Sequence, residues 1–264
     1  PYGGQADLQA GILRHVSEAF AEDPVRILRV ARFAARYDFQ VADSTLQLMH
    51  TMTSNGEVDA LVAERVWQEL SRAFSEAHPP RFFEVLHQTQ SLAKILPPLA
   101  QLKQHKLLWH QTMTALSVAA MQKRPVNMSY ALMCTYLPVS LDKLHFDLRV
   151  PKDCADAAKV LQAVHPILLS TEPLQAETVL NVFQRCDAWR RPERWQAAWE
   201  ASLILAEVSQ QEPPSQVWQQ ALMACLALDV AAIAAQSPDK ASIPANIRAA
   251  RLHTITQSIA SSTP

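Results

Sequence analysis

The chain has 264 residues, of which 49% are hydrophobic and 19% charged, and a formal net charge of -1. That composition can bury the core of one large or two smaller domains and excludes an intrinsically disordered chain. The near-neutral balance, with a pI of about 6.9, excludes a globally basic nucleic-acid binder and leaves room only for a local basic patch.

Only four glycines occur, at 3, 4, 11 and 56, so tight hairpins that need positive φ are hard to build over the rest of the chain. Helix formers are abundant and prolines fall between apolar-periodic runs, which predicts an all-α fold, a multi-helix array. Cys134, Cys154, Cys186 and Cys225 lie far apart, without the pair spacing of a zinc or redox motif, and are expected to be buried thiols. No signal peptide or run of eighteen apolar residues is present, so a soluble cytoplasmic protein without membrane contact is expected. The chain opens on Pro1 rather than Met, and is expected to begin inside a longer protein or to have been processed.

Residues 1–8 read as a turn in which Gly3 and Gly4 form a hinge or junction before Asp7 caps a helix. The stretch Glu22 to Arg36 predicts a helix over 22–37, with Asp23 as N-cap and Pro24 at the first helical position. Ile27, Leu28, Val30, Ala31 and Ala34 share one side, while Arg26, Arg29, Arg32 and Arg36 form a stripe on the other, with Phe33 among them. Asp23 and Arg26, one turn apart, can offer an acceptor and planar donors to one flat partner, as the edge of a nucleic-acid base requires. An acidic first turn followed by arginines is also the pattern of an ordinary stable surface helix, and pattern alone leaves both readings open.

Asp43 or Ser44 caps a helix through about Thr53, closed by Asn55-Gly56. A helix from about Ala63 to Ala77 turns Val66, Leu70 and Phe74 inward and carries Glu64 and Glu69, which can orient the arginine stripe or stand in solvent. Pro79-Pro80 begin a helix whose Phe82, Phe83, Val85 and Leu86 are core. Further on, the stretch Cys186 to Trp195 groups three arginines with two tryptophans. It can meet phosphates and stack on bases, or cap a helix against the core.

Taken in order, Tyr2-Gly3-Gly4-Gln5-Ala6-Asp7-Leu8, Leu13-Arg14-His15-Val16, the stretch Glu22 to Arg36, and Glu64-Arg65-Val66-Trp67-Gln68-Glu69-Leu70 resemble class II tRNA nucleotidyltransferases, the CCA-adding enzymes, of the bacterial branch. The resemblance is strong over about residues 1 to 100. It implies a polymerase that adds C, C and A to the 3′ end of tRNA without a template, choosing CTP or ATP with protein side chains. By motif position, Asp23 and Arg26 would bond the base edge, Arg29 and Arg32 would contact nucleotide, and Glu22 and Glu64 would be supports. Gly3 and Gly4 would join a catalytic head to residues 9–104, the neck and body. That head, which lies amino-terminal in the family and binds Mg²⁺ through paired carboxylates, has no counterpart in this sequence. This chain alone is therefore expected to hold no catalytic residue and no metal site, and to be inactive in nucleotide addition.

Residues 105–264 resemble in outline the histidine–aspartate (HD) phosphohydrolase domain carried by some bacterial members. Gln111 stands where a ligand histidine belongs, with His110 out of register, and Thr135-Tyr136 replace the adjacent His-Asp. A degenerate HD-like domain that contacts tRNA is expected, its last helix near Ile243 to Leu252 adding Arg248 and Arg251 to a tRNA-facing surface. A poly(A) polymerase relative, which shares the Glu-Asp-x-x-Arg helix, and a non-catalytic RNA-binding module are the competing readings. Oligomeric state is not legible.

Overall fold

The computed structural model describes residues 3–261; Pro1 and Tyr2, part of the expected junction, and Ser262, Thr263 and Pro264 of the tail expected to fray lie outside the described residues. The chain is helical almost throughout, in agreement with the expected all-α array. In order, the elements are α1 (Gly4–Ala10), β1 (Ile12–Leu13), a 3₁₀ turn (Glu18–Glu22), α2 (Val25–Tyr37), β2 (Gln40–Val41), α3 (Asp43–Ser54), a second 3₁₀ turn (Glu57–Ala60), α4 (Ala63–Ala73), α5 (Pro79–Gln88), α6 (Ser91–Ile95), α7 (Pro97–Leu102) and α8 (Lys106–Met121). There follow α9 (Val126–Cys134), α10 (Leu141–Asp147), α11 (Lys152–Leu168), α12 (Ala176–Cys186), α13 (Pro192–Ser209), α14 (Val217–Leu226), α15 (Val230–Ala235) and α16 (Ile243–Ala260).

The chain divides into two compact units, residues 1–162 and 163–264, with the division inside α11. The expected boundary between 104 and 105 falls within the first unit, where α7 and α5 both pack on α8.

In the first unit α2 is the central helix, packed against α4 and α5. Ile27, Leu28, Ala31 and Ala34 are wholly buried, and at roughly 1.5–3 kcal/mol for each large aliphatic side chain this face anchors the helix. Phe74, Phe82, Phe83 and Tyr130 extend the core, with Phe82 and Phe83 edge-to-face at 5.3 Å. Asp7 is a correction: it lies inside α1 rather than capping it, and its carboxylate accepts from Arg14 Nε at 2.9 Å. Gly3, at φ 70°, holds the left-handed position before α1, and Gly4 is the first helical residue. β1 and β2 pair in parallel over two residues each, and the adjoining His15 donates its backbone N–H to Thr45 Oγ1 at 3.0 Å, fixing this segment to α3.

The second unit is built on aromatic rings. Phe183 meets Trp195 edge-to-face at 4.9 Å and Trp218 at 6.0 Å, and all three are buried. The stretch Cys186 to Trp195 is thus divided: Cys186, Ala188 and Trp195 are core, while Arg190 and Arg191 are exposed. Trp195 faces no solvent, Trp189 lies under the Arg251 guanidinium at 4.1 Å, and Asp187 receives Arg190 at 2.8 Å. Base stacking by Trp195 is excluded by its burial. Of the arginines expected to give α16 a positive face, Arg248 donates to both carboxylate oxygens of Glu177 and Arg251 lies over the Trp189 ring.

With no glycine beyond Gly56, helices stop on side-chain-bearing residues in the left-handed region. Lys123 after α8 has φ 53° and Gln210 after α13 has φ 55°. Each is followed by a backbone N–H that returns to the last turn, Arg124 to the Ala119 carbonyl at 2.8 Å and Gln211 to Ala206 at 2.9 Å. These bonds satisfy carbonyls that a helix end leaves open.

All four cysteines are buried free thiols, and burial pushes Cys134 and Cys186 up to about 12.

Candidate functional site

Asp23 sits where the first 3₁₀ turn gives way to α2. Its Oδ1 accepts the Val25 N–H at 3.0 Å, but the helix begins later than expected: Val25 is its first residue, Pro24 holds the N-cap position, and Glu22 belongs to the 3₁₀ turn. The same carboxylate receives Arg65 of α4, Nη2 to Oδ2 at 2.9 Å and Nη1 to Oδ1 at 3.4 Å. Partial burial works against the charge, but Arg65, the Val25 N–H and Arg26 together hold the Asp23 pKa below its ordinary value. At neutral pH the carboxylate is ionised and fixed, and its side chain remains partly exposed.

Arg26, one turn on, donates through Nη1 to the Ala19 carbonyl of the 3₁₀ turn. That bond uses one of five N–H donors and ties the guanidinium to the turn that precedes Asp23. Arg29 is exposed and has no ion-pair partner among the described residues. Glu22 is likewise exposed, without an ion pair among them.

Arg32 differs from its expected place. It is 9% exposed and is held by two carboxylates, Nε to Glu69 at 2.6 Å and Nη1 to Glu76 at 3.0 Å. Burial opposes its charge, yet the hydrogen bonds to Glu69 and Glu76 outweigh it and raise its pKa. Its guanidinium also lies 4.7 Å from the Phe33 ring centre. Arg32 thus ties α2 to α4 and offers no open donor surface comparable to that of Arg29. Glu64 is corrected as well: its ion partner is Arg149 at 4.0 Å, both exposed, and Glu69 is the glutamate that meets the stripe.

The residue missed by sequence reasoning is Arg65. Its signal was present in the spacing of Arg65, Glu69, Arg72 and Glu76, at i, i+4, i+7 and i+11, which marks one charged face of α4 and the turn after it. Opposite it, α2 presents the complementary series Asp23, Arg32 and Arg36, and the pairs form in chain order. Asp23 is therefore held at the start of a helix that the buried Arg32 locks to α4 farther along.

In the part of the chain expected to resemble a phosphohydrolase, Gln111 and Thr135 are buried and His110 is exposed. Among the described residues no helix is long and apolar enough to cross a membrane.

Residues 38–103 match the family described as "Probable RNA and SrmB-binding site of polymerase A". The chain is 42% identical to a multifunctional CCA protein of Chromobacterium violaceum, an alignment covering 95% of this chain and 70% of that relative. It is 40% identical to a multifunctional CCA protein of Azoarcus sp., over 96% and 70% of the two. Among solved structures, a CCA-adding enzyme with ATP superposes with a TM-score of 0.63 at 16% identity, over 98% of this chain and 63% of that one. The Thermotoga maritima CCA-adding enzyme complexed with tRNA gives 0.61 at 14% identity, over 100% and 67%. At these identities the structural likeness shows a shared fold.

Proposed function

We propose, starting from the fact that this chain belongs to the family of bacterial CCA-adding enzymes, that its α2 end selects CTP and ATP by their hydrogen-bonding edges during 3′-end completion of tRNA. One observation carries the reading: Asp23 and Arg26 lie one turn apart, the acceptor immobilised by Val25 and Arg65 and the donor tied to Ala19.

The chemistry follows from the bases. Cytosine and adenine each place an exocyclic amino donor beside an unprotonated ring nitrogen, whereas uracil and guanine place a carbonyl acceptor beside a ring N–H. A fixed carboxylate accepts from the amino group while a neighbouring guanidinium donates to the ring nitrogen. For the other two bases both contacts reverse, and unpaired polar groups cost about 1–3 kcal/mol each. Arg29, exposed one turn along, is the arginine free to meet the nucleotide, and Arg65 positions the carboxylate.

The family's nucleotidyl transfer uses Mg²⁺. Among the described residues no three His, Cys, Asp or Glu side chains converge as a metal site; the donor set does not fit the ion, and no step is assigned to it here. The chain spans about 70% of these relatives, and the metal-binding carboxylates are assigned to a head joined through Gly3 and Gly4. Residues 105–264 are read as a degenerate HD-like domain in contact with tRNA, and the cytoplasm as the location. A poly(A) polymerase relative is supported by the match at residues 38–103 alone, and relatives aligned along nearly the whole chain favour CCA addition.

Arg26→Ala in the full-length protein is expected to lower discrimination of CTP and ATP against UTP and GTP by about 1.5–3 kcal/mol, the worth of a charged hydrogen bond. Ratios of kcat/KM for the four nucleotides measure it; unchanged ratios would falsify the base-reading role.

A further inference from the structure

The first unit contains a groove of about 830 Å³ that base selection does not use. Its walls come from the end of α3, the end of α5, and α6 with α7, and include His87, Lys94 and Lys103 but no acidic residue. In a chain with a formal net charge of -1, a concavity lined by cations and by no carboxylate departs locally from that balance.

Lys103 is one of its lining cations. It is half-buried, its ammonium lies 4.6 Å from the Trp109 ring centre, and it has no ion-pair partner among the described residues. Burial lowers its pKa, and Glu84 opposes this only at longer range. A cation partly withdrawn from water without a counter-charge gains most from an anion that enters beside it. Lys94, on the α6 wall, is half exposed and its Asp59 partner lies outside the lining at 3.6 Å.

The groove is pre-formed. Beneath it, Thr53 Oγ1 meets Ser91 Oγ at 2.6 Å and Ser91 meets Thr89 at 3.0 Å, all three buried, so the ends of α3 and α5 and the start of α6 are pinned together. Leu92 and Pro97 give the lining an apolar portion suited to ribose.

We infer that this groove holds a phosphodiester segment of the RNA, with Lys103 and Lys94 contacting its phosphates. The inference rests on the reading that the full-length protein engages tRNA, and it gives that contact named residues away from Asp23 and Arg26.

Lysine acetylation of the full-length protein, read by mass spectrometry with tRNA, ATP, inorganic phosphate or poly-glutamate present, tests it. Protection of Lys103 and Lys94 by tRNA, and by none of the other three, is the expected result. Bound tRNA that leaves both lysines reactive overturns the groove assignment alone, as does stronger protection by ATP, phosphate or poly-glutamate. Failure to bind tRNA at all overturns the functional reading with it. In parallel, Lys103→Gln is expected to reduce the slope of log affinity for tRNA against log salt by about 0.7–0.9, roughly a threefold change between 50 and 200 mM. An unchanged slope also overturns it.

Discussion

Arg32→Ala is expected to destabilise the protein by about 3–5 kcal/mol, the cost of removing one partner from a buried ion pair. The size follows from what remains. Glu69, 5% exposed, would lose its donor at 2.6 Å and the partly buried Glu76 its donor at 3.0 Å, leaving a buried carboxylate without its nearest counter-charge. Arg72 touches Glu69 only at 3.5 Å from an exposed position, and Arg36 approaches Glu76 at 4.0 Å, so neither replaces the loss. Arg32→Lys keeps the charge but cannot serve two carboxylates with a planar fork, and is expected to fall between wild type and Ala. Urea unfolding measures all three proteins. An unchanged midpoint together with weakened ATP binding would return Arg32 to the nucleotide-contacting role that its motif position implies.

Acid is expected to weaken the second unit well above the range where carboxylates titrate. His165 is 7% exposed, and burial lowers its pKa from 6.5 to about 4. At pH 7 and above, folded and unfolded states both carry the neutral ring and stability does not depend on it. As pH falls below 6.5 the unfolded chain takes up a proton that the folded chain refuses, so stability drops until about pH 4 and then levels. The total is about 3 kcal/mol at 1.36 kcal/mol per pH unit. His145 in the first unit is lowered in the same direction, by burial and then by Lys159. Asp7, Asp23 and Asp142, all lowered, lose their contributions only further down. Unfolding free energies from pH 8 to pH 4 for the wild type and His165→Met supply the test. Equal slopes in the two proteins would remove His165 as the cause.

The sequence made α2 readable because its signals are local. Asp23-Pro24 mark the start to within a few residues, and the 3.6-residue spacing of Ile27, Leu28, Ala31 and Ala34 sets a buried face that the structure follows. The helix beginning at Pro79 and the turn at Asn55-Gly56 were legible for the same reason. What lay across from each residue was not. A helical projection gives Arg32 an angle on the cylinder, but its burial depends on Glu69 and Glu76, about forty residues later. Arg65 reaches Asp23 over a similar distance, and only a comparison of the charged faces of two helices would have paired them. The β1–β2 pairing, two residues long, is too short to leave any periodicity. At Cys186 to Trp195 the residue types fit a nucleic-acid surface and a core equally well, and the stretch divides: Phe183 and Trp218 hold Trp195 in the core from outside it, while Arg190 and Arg191 stay exposed.

The helix stops at Lys123 and Gln210 show how this protein has spent, and withheld, its stability. A side chain in the left-handed region costs roughly 1–2 kcal/mol that glycine does not incur, against an entropy cost of roughly 0.5–1 kcal/mol for glycine in the unfolded chain. Lys123→Gly and Gln210→Gly are therefore expected to raise the thermal unfolding midpoint, far from Asp23 and Arg26 in sequence, and a lowered midpoint in both would refute this. Such positions form a mutational reserve: a lineage facing heat, or carrying a costly change in the base-selecting helix, can recover folding free energy there without altering which nucleotide is chosen.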